Sequence, residues 1–148
     1  MLAGLAFGVR YLLSQQQSKE ARIAGEWLNP WVEALKSENP SQAWENLTTE
    51  DYRKNTPREA WEQTYQSALK AWGKPTRVSI YSAQGAGEIG SGRRYERTIT
   101  DWTFERGQTL MLTFELVDVP QKGYRLDAAR LGGRKSYIAP ADAPNGPW

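Results

Sequence analysis

The sequence predicts an α+β domain in which N-terminal helices pack on one face of a curved antiparallel sheet. Three observations carry this. Apolar residues recur at helical spacing through the first half. From Pro75 onward the period shortens to that of strands, and the links between the later runs are short enough for hairpins. Helices first and antiparallel strands afterwards is the order of an α+β domain. The whole is 148 residues, the length of one domain with a tail at either end. We divide it into an apolar segment and polar link (1–17), a domain (18–132) and a Pro/Ala/Gly-rich tail (133–148).

In the helical half, Ile23, Trp27, Trp31 and Leu35 stand four apart, on one helical face. Pro30 lies inside this pattern and brings no N–H, so it should kink or restart the helix near Asn29. Ser37-Glu38-Asn39-Pro40 ends the run, because the residue before a proline is pushed out of the helical region. A short helix follows, SQAWENL, with Ala43, Trp44 and Leu47 inward. The stretch TTEDYRKN reads as a polar turn. The next helix carries strong start signals: Thr56 as N-cap, Pro57 at the first helical position and Glu59 closing a capping box. Ala60, Trp61, Tyr65, Ala68, Leu69 and Trp72 form its apolar face, and Gly73 ends it. Three helices are expected, the middle one short.

In the strand half, PTRVSIYSA alternates Val78 and Ile80 with Arg77, Ser79 and Tyr81. QGAGEIGSG reads as a flexible hairpin link, since it lacks the lysine and spacing of a phosphate-binding loop. RRYERTITDWTFERG and QTLMLTFELVDVP meet at Arg106-Gly107-Gln108, a hairpin, and KGYRLDAARLGG supplies the last strand.

The N-terminal run MLAGLAFGVRYLL is apolar apart from Arg10. As a helix it would rise about 20 Å, short of the roughly 30 Å of a bilayer core. Ala3, Gly4 and Gly8 would let partner helices approach closely, and Arg10 could snorkel toward the interface. Leu2, Leu5, Phe7, Val9 and Leu12 are therefore expected in lipid or in a membrane-embedded partner; the alternative is an ordinary amphipathic helix start packed on the domain. Trp148 is a candidate for docking onto a partner.

Composition narrows the chemistry. There is no cysteine and no histidine, which removes disulfides, thiolate catalysis, thiolate metal sites and the commonest general base. The acidic residues are scattered, so no hard-cation site is expected. No cofactor is expected either. A net charge of +2, with acidic residues interleaved among the arginines, gives no field for nucleic acid.

Several short motifs, taken in order, resemble the NTF2-like (cystatin-like, SnoaL-like) superfamily, and within it the membrane-anchored extracytoplasmic members. Trp31-Val32-Glu33-Ala34-Leu35-Lys36-Ser37-Glu38-Asn39, then Ala43-Trp44 and Leu47, resemble the corner at which that family's first helix hands over to a short second one. Thr56-Pro57-Arg58-Glu59-Ala60-Trp61 resembles the next helix start, and Ala71-Trp72-Gly73-Lys74-Pro75 its exit. Lys122-Gly123-Tyr124-Arg125-Leu126-Asp127 resembles the final strand. The likeness covers about residues 20 to 132.

The resemblance implies a cone-shaped domain whose pocket lies between sheet and helices. Polar residues on otherwise apolar strands are then the pocket candidates: Arg97, Asp101 and Glu115, with Tyr81 and Trp102 beside them. A carboxylate among apolar neighbours can serve as a general base, but family enzymes often pair it with a histidine or tyrosine, and histidine is missing here. The alternative for these residues is cross-strand pairing on the solvent side. No catalytic constellation is expected. The superfamily hosts enzymes, transport factors and binding modules alike, so fold does not assign activity. The expectation is a non-enzymatic accessory or assembly subunit, or binding module. It would be membrane-associated through its N-terminus and lie on the extracytoplasmic side with protein partners. The alternative is a small-molecule enzyme of isomerase or dehydratase type, or a carrier, using the cone cavity. An interior filled by Trp and Leu favours the first and a deep cavity with a buried carboxylate the second.

Overall fold

In a computed structural model, residues 15–87 and 89–131 are described. Helix α1 covers residues 15–36, with a π turn at Ala24–Leu28 and regular α-helix over Asn29–Lys36. Then come α2 (Ser41–Asn46), α3 (Glu50–Asn55) and α4 (Arg58–Trp72). Strands β1 (Pro75–Gly87), β2 (Arg94–Phe104), β3 (Thr109–Val119) and β4 (Gly123–Leu131) form an antiparallel sheet in the order β1-β2-β3-β4, which is not closed. The α+β architecture is as the patterns predict. The segment carrying Leu2, Leu5, Phe7, Val9 and Leu12, and the tail carrying Trp148, lie outside the described residues. No described helix is long and apolar enough to cross a membrane.

Pro30 explains the π turn. With no N–H of its own, it brings no donor to the Glu26 carbonyl four residues earlier. The helix widens just before it, where the Asn29 N–H reaches back to the Ala24 carbonyl. The Arg125 guanidinium lies 3.5 Å from the Glu26 carbonyl. The predicted break at Ser37 is present, with Ser37 extended at φ −77° and ψ 172°. Its hydroxyl donates to the Ala34 carbonyl (2.7 Å) and accepts the Asn39 N–H (3.2 Å).

Four helical elements stand where three were expected. TTEDYRKN is not a turn: it forms α3, because Thr49 caps it by accepting the Tyr52 N–H at 3.1 Å. Glu50 and Asp51 in its first turn and Arg53 and Lys54 in its last complement the helix dipole. The expected capping box of Thr56 and Glu59 does not form. Thr56 closes α3 instead, with its N–H on the Tyr52 carbonyl (2.8 Å) and its own carbonyl accepting the Trp44 indole N–H (2.8 Å). Pro57 stays extended and its carbonyl accepts the Trp61 N–H, so α4 starts at Arg58. Ala60 is exposed rather than inward, while Trp61, Tyr65, Ala68 and Trp72 are buried.

The glycine-rich link is also shorter than read, since β1 continues through Gln84 to Gly87. A register shift between Ile80 and Ser82 leaves Tyr81 at an irregular position. This moves the inward phase of β1 from Val78 and Ile80 onto Ala83, Gly85 and Gly87, opposite Thr98, Glu96 and Arg94.

The core lies between helices and sheet. Ile23, Trp27 and Trp31 are fully buried, and Leu35 nearly so. Trp27 packs on Phe114 at 4.8 Å and on Trp31 at 5.2 Å between ring centroids. Its indole N–H reaches the Leu47 carbonyl at 3.1 Å. Trp31 meets Trp61 edge to face (6.0 Å, 82°), and Trp72 meets Phe104 at 5.2 Å. On the strands, Thr98, Thr100, Trp102, Leu110, Leu112, Phe114, Leu116 and Leu126 complete the buried face.

Candidate functional site

Helix α1 crosses the whole sheet, and a polar side chain touches each strand in turn. Gln16 donates to the Ala83 carbonyl of β1 (2.6 Å), and the Lys19 ammonium lies 3.3 Å from the Glu96 carboxylate of β2. Arg22 reaches Asp118 of β3 (3.3 Å), and Glu26 accepts the Tyr124 N–H of β4 (3.2 Å). Spacings of three, three and four keep all four on one helical face. The apolar stripe lies beside this ladder, so the chain enters over β1 and descends into the core by Trp27.

Beyond the ladder, toward the β1–β2 and β3–β4 turns, the inward face of the sheet opens into a recess of about 580 Å³. Its wall is built from Gly85 and Gly87 of β1, Arg94 and Glu96 of β2, Leu116 and Asp118 of β3 and Tyr124 of β4. Register explains the set. Gly85 pairs with Glu96 and Gly87 with Arg94, while Asp118 pairs with Tyr124. The two glycines contribute no side chains, so the space over Glu96 and Arg94 stays open. Both Glu96 carboxylate oxygens stand 3.7 and 3.9 Å from where a Cβ on Gly85 would be.

Glu96 Oε2 is buried and receives no well-aligned hydrogen bond, but the Lys19 ammonium at 3.3 Å compensates its charge. Tyr124 is 5% exposed. Burial raises its phenol pKa, and the Glu96 carboxylate raises it further, so it is a neutral donor at physiological pH. The Arg22 guanidinium lies over its ring at 4.9 Å. Glu26 has its carboxyl pKa lowered, chiefly by the Arg22 hydrogen bond. Two carboxylates, Glu96 and Asp118, one guanidinium, Arg94, a neutral phenol and an apolar floor can hold a small polar molecule.

The sequence-predicted candidates lie elsewhere. Arg97 and Asp101 point to the opposite face of β2 from Thr98, Thr100 and Trp102, and Arg97 donates to the Tyr95 hydroxyl at 3.2 Å. Glu115 shares that second face in register with Arg97. It is 5% exposed and lies 3.6 Å from Arg93, which also bonds Asp127. Asp127 in turn accepts from the Thr49 hydroxyl at 2.6 Å. Trp102 is core: its indole N–H donates to Thr100 Oγ1 at 2.7 Å. Tyr81, 53% exposed, stands at the β1 irregularity. None of the five lines the recess. Arg97, Glu115 and the Arg93 network gather on the second face, while Tyr81 and Trp102 are apart from them.

Glu96, Arg94, Lys19 and Tyr124 were missed, although a signal existed. Trp102 and Phe104 mark the inward face of β2, and stepping back by twos reaches Glu96 and Arg94. Among the described residues no group of acidic side chains is arranged to hold a metal ion. No protein-family model matches this chain, and neither does any curated protein or solved structure.

Proposed function

We propose that this chain is a non-enzymatic, membrane-associated accessory subunit or binding module built on an NTF2-like domain, lying on the extracytoplasmic side with protein partners. The observation that carries the non-enzymatic part is the filled interior. Trp27, Trp31, Trp61, Trp72, Trp102 and Phe114 are each at most 1% exposed and occupy the space between helices and sheet. Such cones would hold a reacting substrate there. The apolar run from Leu2 to Leu13 supports the membrane part: it carries a single charge, Arg10, and joins directly to the helix that crosses all four strands. The open recess favours a second reading, a small-molecule carrier or enzyme, because it holds the Glu96 carboxylate beside a neutral tyrosine.

Flotation of the intact chain on lipid vesicles, against a chain starting at Ser14, tests the membrane part. The intact chain should float and the shortened one stay with the soluble fraction. Equal solubility of the two without detergent would defeat the reading.

A further inference from the structure

We propose that the recess is a binding site for a short zwitterionic peptide, of dipeptide size, with its amine at Glu96 and its carboxylate at Arg94. This rests on the binding-module reading and not on membrane attachment. The wall presents two opposite charges on one strand. Glu96 and Arg94 are two residues apart on the inward side of one strand, so their Cα atoms stand about 6.6 Å apart. An extended dipeptide separates its terminal charges by roughly 7 Å, whereas a free α-amino acid separates them by only ~2.5 Å.

Glu96 is shared with Lys19 through one oxygen and Asp118 is engaged by Arg22, which leaves Glu96 Oε1 and the Arg94 guanidinium for a ligand. Lys19 approaches Glu96 through Oε2 from the helix side, which leaves Oε1 beside the bare Gly85 backbone. Asp118 comes from β3 toward Arg94, but its carboxylate is taken by Arg22. Arg94 is exposed, and its side chain makes no hydrogen bond or ion pair among the described residues. Its planar fork suits a carboxylate. Between the two charges the floor is apolar, formed by Leu116 with the Tyr124 ring. A volume near 580 Å³ falls within the range of small-ligand sites. The absence of side chains at Gly85 and Gly87 gives the peptide backbone room along β1.

Calorimetric titration of the full chain with glycyl-leucine tests the proposal, using detergent only if flotation shows that the chain requires it. Leucine, N-acetyl-glycyl-leucine and glycyl-leucinamide are the comparison probes. Glycyl-leucine should bind saturably, and capping either end should weaken binding about tenfold or more. E96Q should abolish the penalty of the acetyl cap while keeping that of the amide. R94Q should do the reverse, and because Arg94 is exposed this variant keeps the fold. No saturation at millimolar dipeptide by a chain with an unchanged melting temperature would overturn the proposal. So would leucine binding as tightly as the dipeptide, or both variants retaining wild-type discrimination. A failed titration alongside successful flotation would remove the peptide site and leave the membrane reading standing.

Discussion

Replacing Gly73 by alanine tests how the helical half is joined to the sheet. Gly73 ends α4 at φ 78° and ψ −168°, a region that side-chain-bearing residues avoid. An added Cβ would stand 2.7 Å from Glu105 Oε2 and 2.8 Å from Glu105 Cβ. The oxygen could swing away, but the Cβ is fixed to the β2–β3 turn. That turn is tied to the same corner: Glu105 N–H donates to the Lys74 carbonyl (2.9 Å) and Arg106 N–H to the Trp72 carbonyl (3.1 Å). The Lys74 N–H in turn donates to the Glu105 carboxylate (3.0 Å). The backbone term costs about 1–3 kcal/mol and one lost hydrogen bond about 1 kcal/mol, together roughly 2–4 kcal/mol. For a chain of this size that lowers the melting temperature by roughly 5–15 °C. Gly107→Ala is the internal comparison. Gly107 also has a positive φ (87°) but nothing within 4 Å of its Cβ position, so it should lose only about 1–2 kcal/mol. Thermal and urea denaturation of both variants would read the difference. A Gly73→Ala protein within 1 kcal/mol of wild type, or one no worse than Gly107→Ala, would refute the account of the corner.

Two further outcomes follow from the same physics. Gly25 is exposed in the π turn of α1 with open space at its Cβ position, so Gly25→Ala should stabilise by about 0.5–1 kcal/mol, read as a higher urea midpoint. Burial raises the phenol pKa of Tyr65 from 10.0 to about 12, with Glu105 adding to it, and also raises that of Tyr52. Below pH 10 folded and unfolded chains both hold these protons. Above it the unfolded chain releases them first, so stability should fall toward pH 12 by up to about 1.4 kcal/mol per pH unit for each group. Urea midpoints between pH 8 and pH 11.5 should show this decline, and the Tyr52→Phe, Tyr65→Phe protein should show a shallower one. Equal slopes would contradict the burial argument.

Much of the fold was legible because its signals are redundant. The stripe Ile23, Trp27, Trp31 and Leu35 repeats four times, and the Ser37–Pro40 break combines proline sterics with the end of that stripe. Helix α3 was not legible in this way, since six residues with one buried apolar side chain, Tyr52, make no period. Its signal is the Thr49 cap, and that competes with the stronger-looking Thr56–Pro57 start next to it. The five candidate residues fail to converge for a simpler reason. Asp101 and Trp102 are neighbours on a strand and cannot share a face, so a pocket containing both conflicts with strand geometry. The β1 irregularity at Tyr81 conceals the phase further, because alternation counted from Val78 puts Gly85 and Gly87 on the wrong side.

Once the phase is right, the inward face of the hairpin carries a gradient. Along β1 it reads Val78, Ile80, Ala83, Gly85, Gly87, from branched side chains to none. Along the paired stretch of β2 it reads Trp102, Thr100, Thr98, Glu96, Arg94, from a large aromatic to charge. Both strands therefore lose apolar bulk in the same direction, and α1 crosses them where the change occurs. On one side of the crossing, Trp27, Trp31 and Trp61 are buried in one cluster with Phe114, Trp102 and Leu112. On the other, Lys19 and Arg22 reach from the helix on long stems, and their charges hold Glu96 and Asp118. A closed core and an open polar mouth are thus two ends of one sheet face. Burial is concentrated at the Trp102 end and the proposed recognition at the Glu96 end, so on that proposal substitutions in the mouth can change what binds without disturbing what folds.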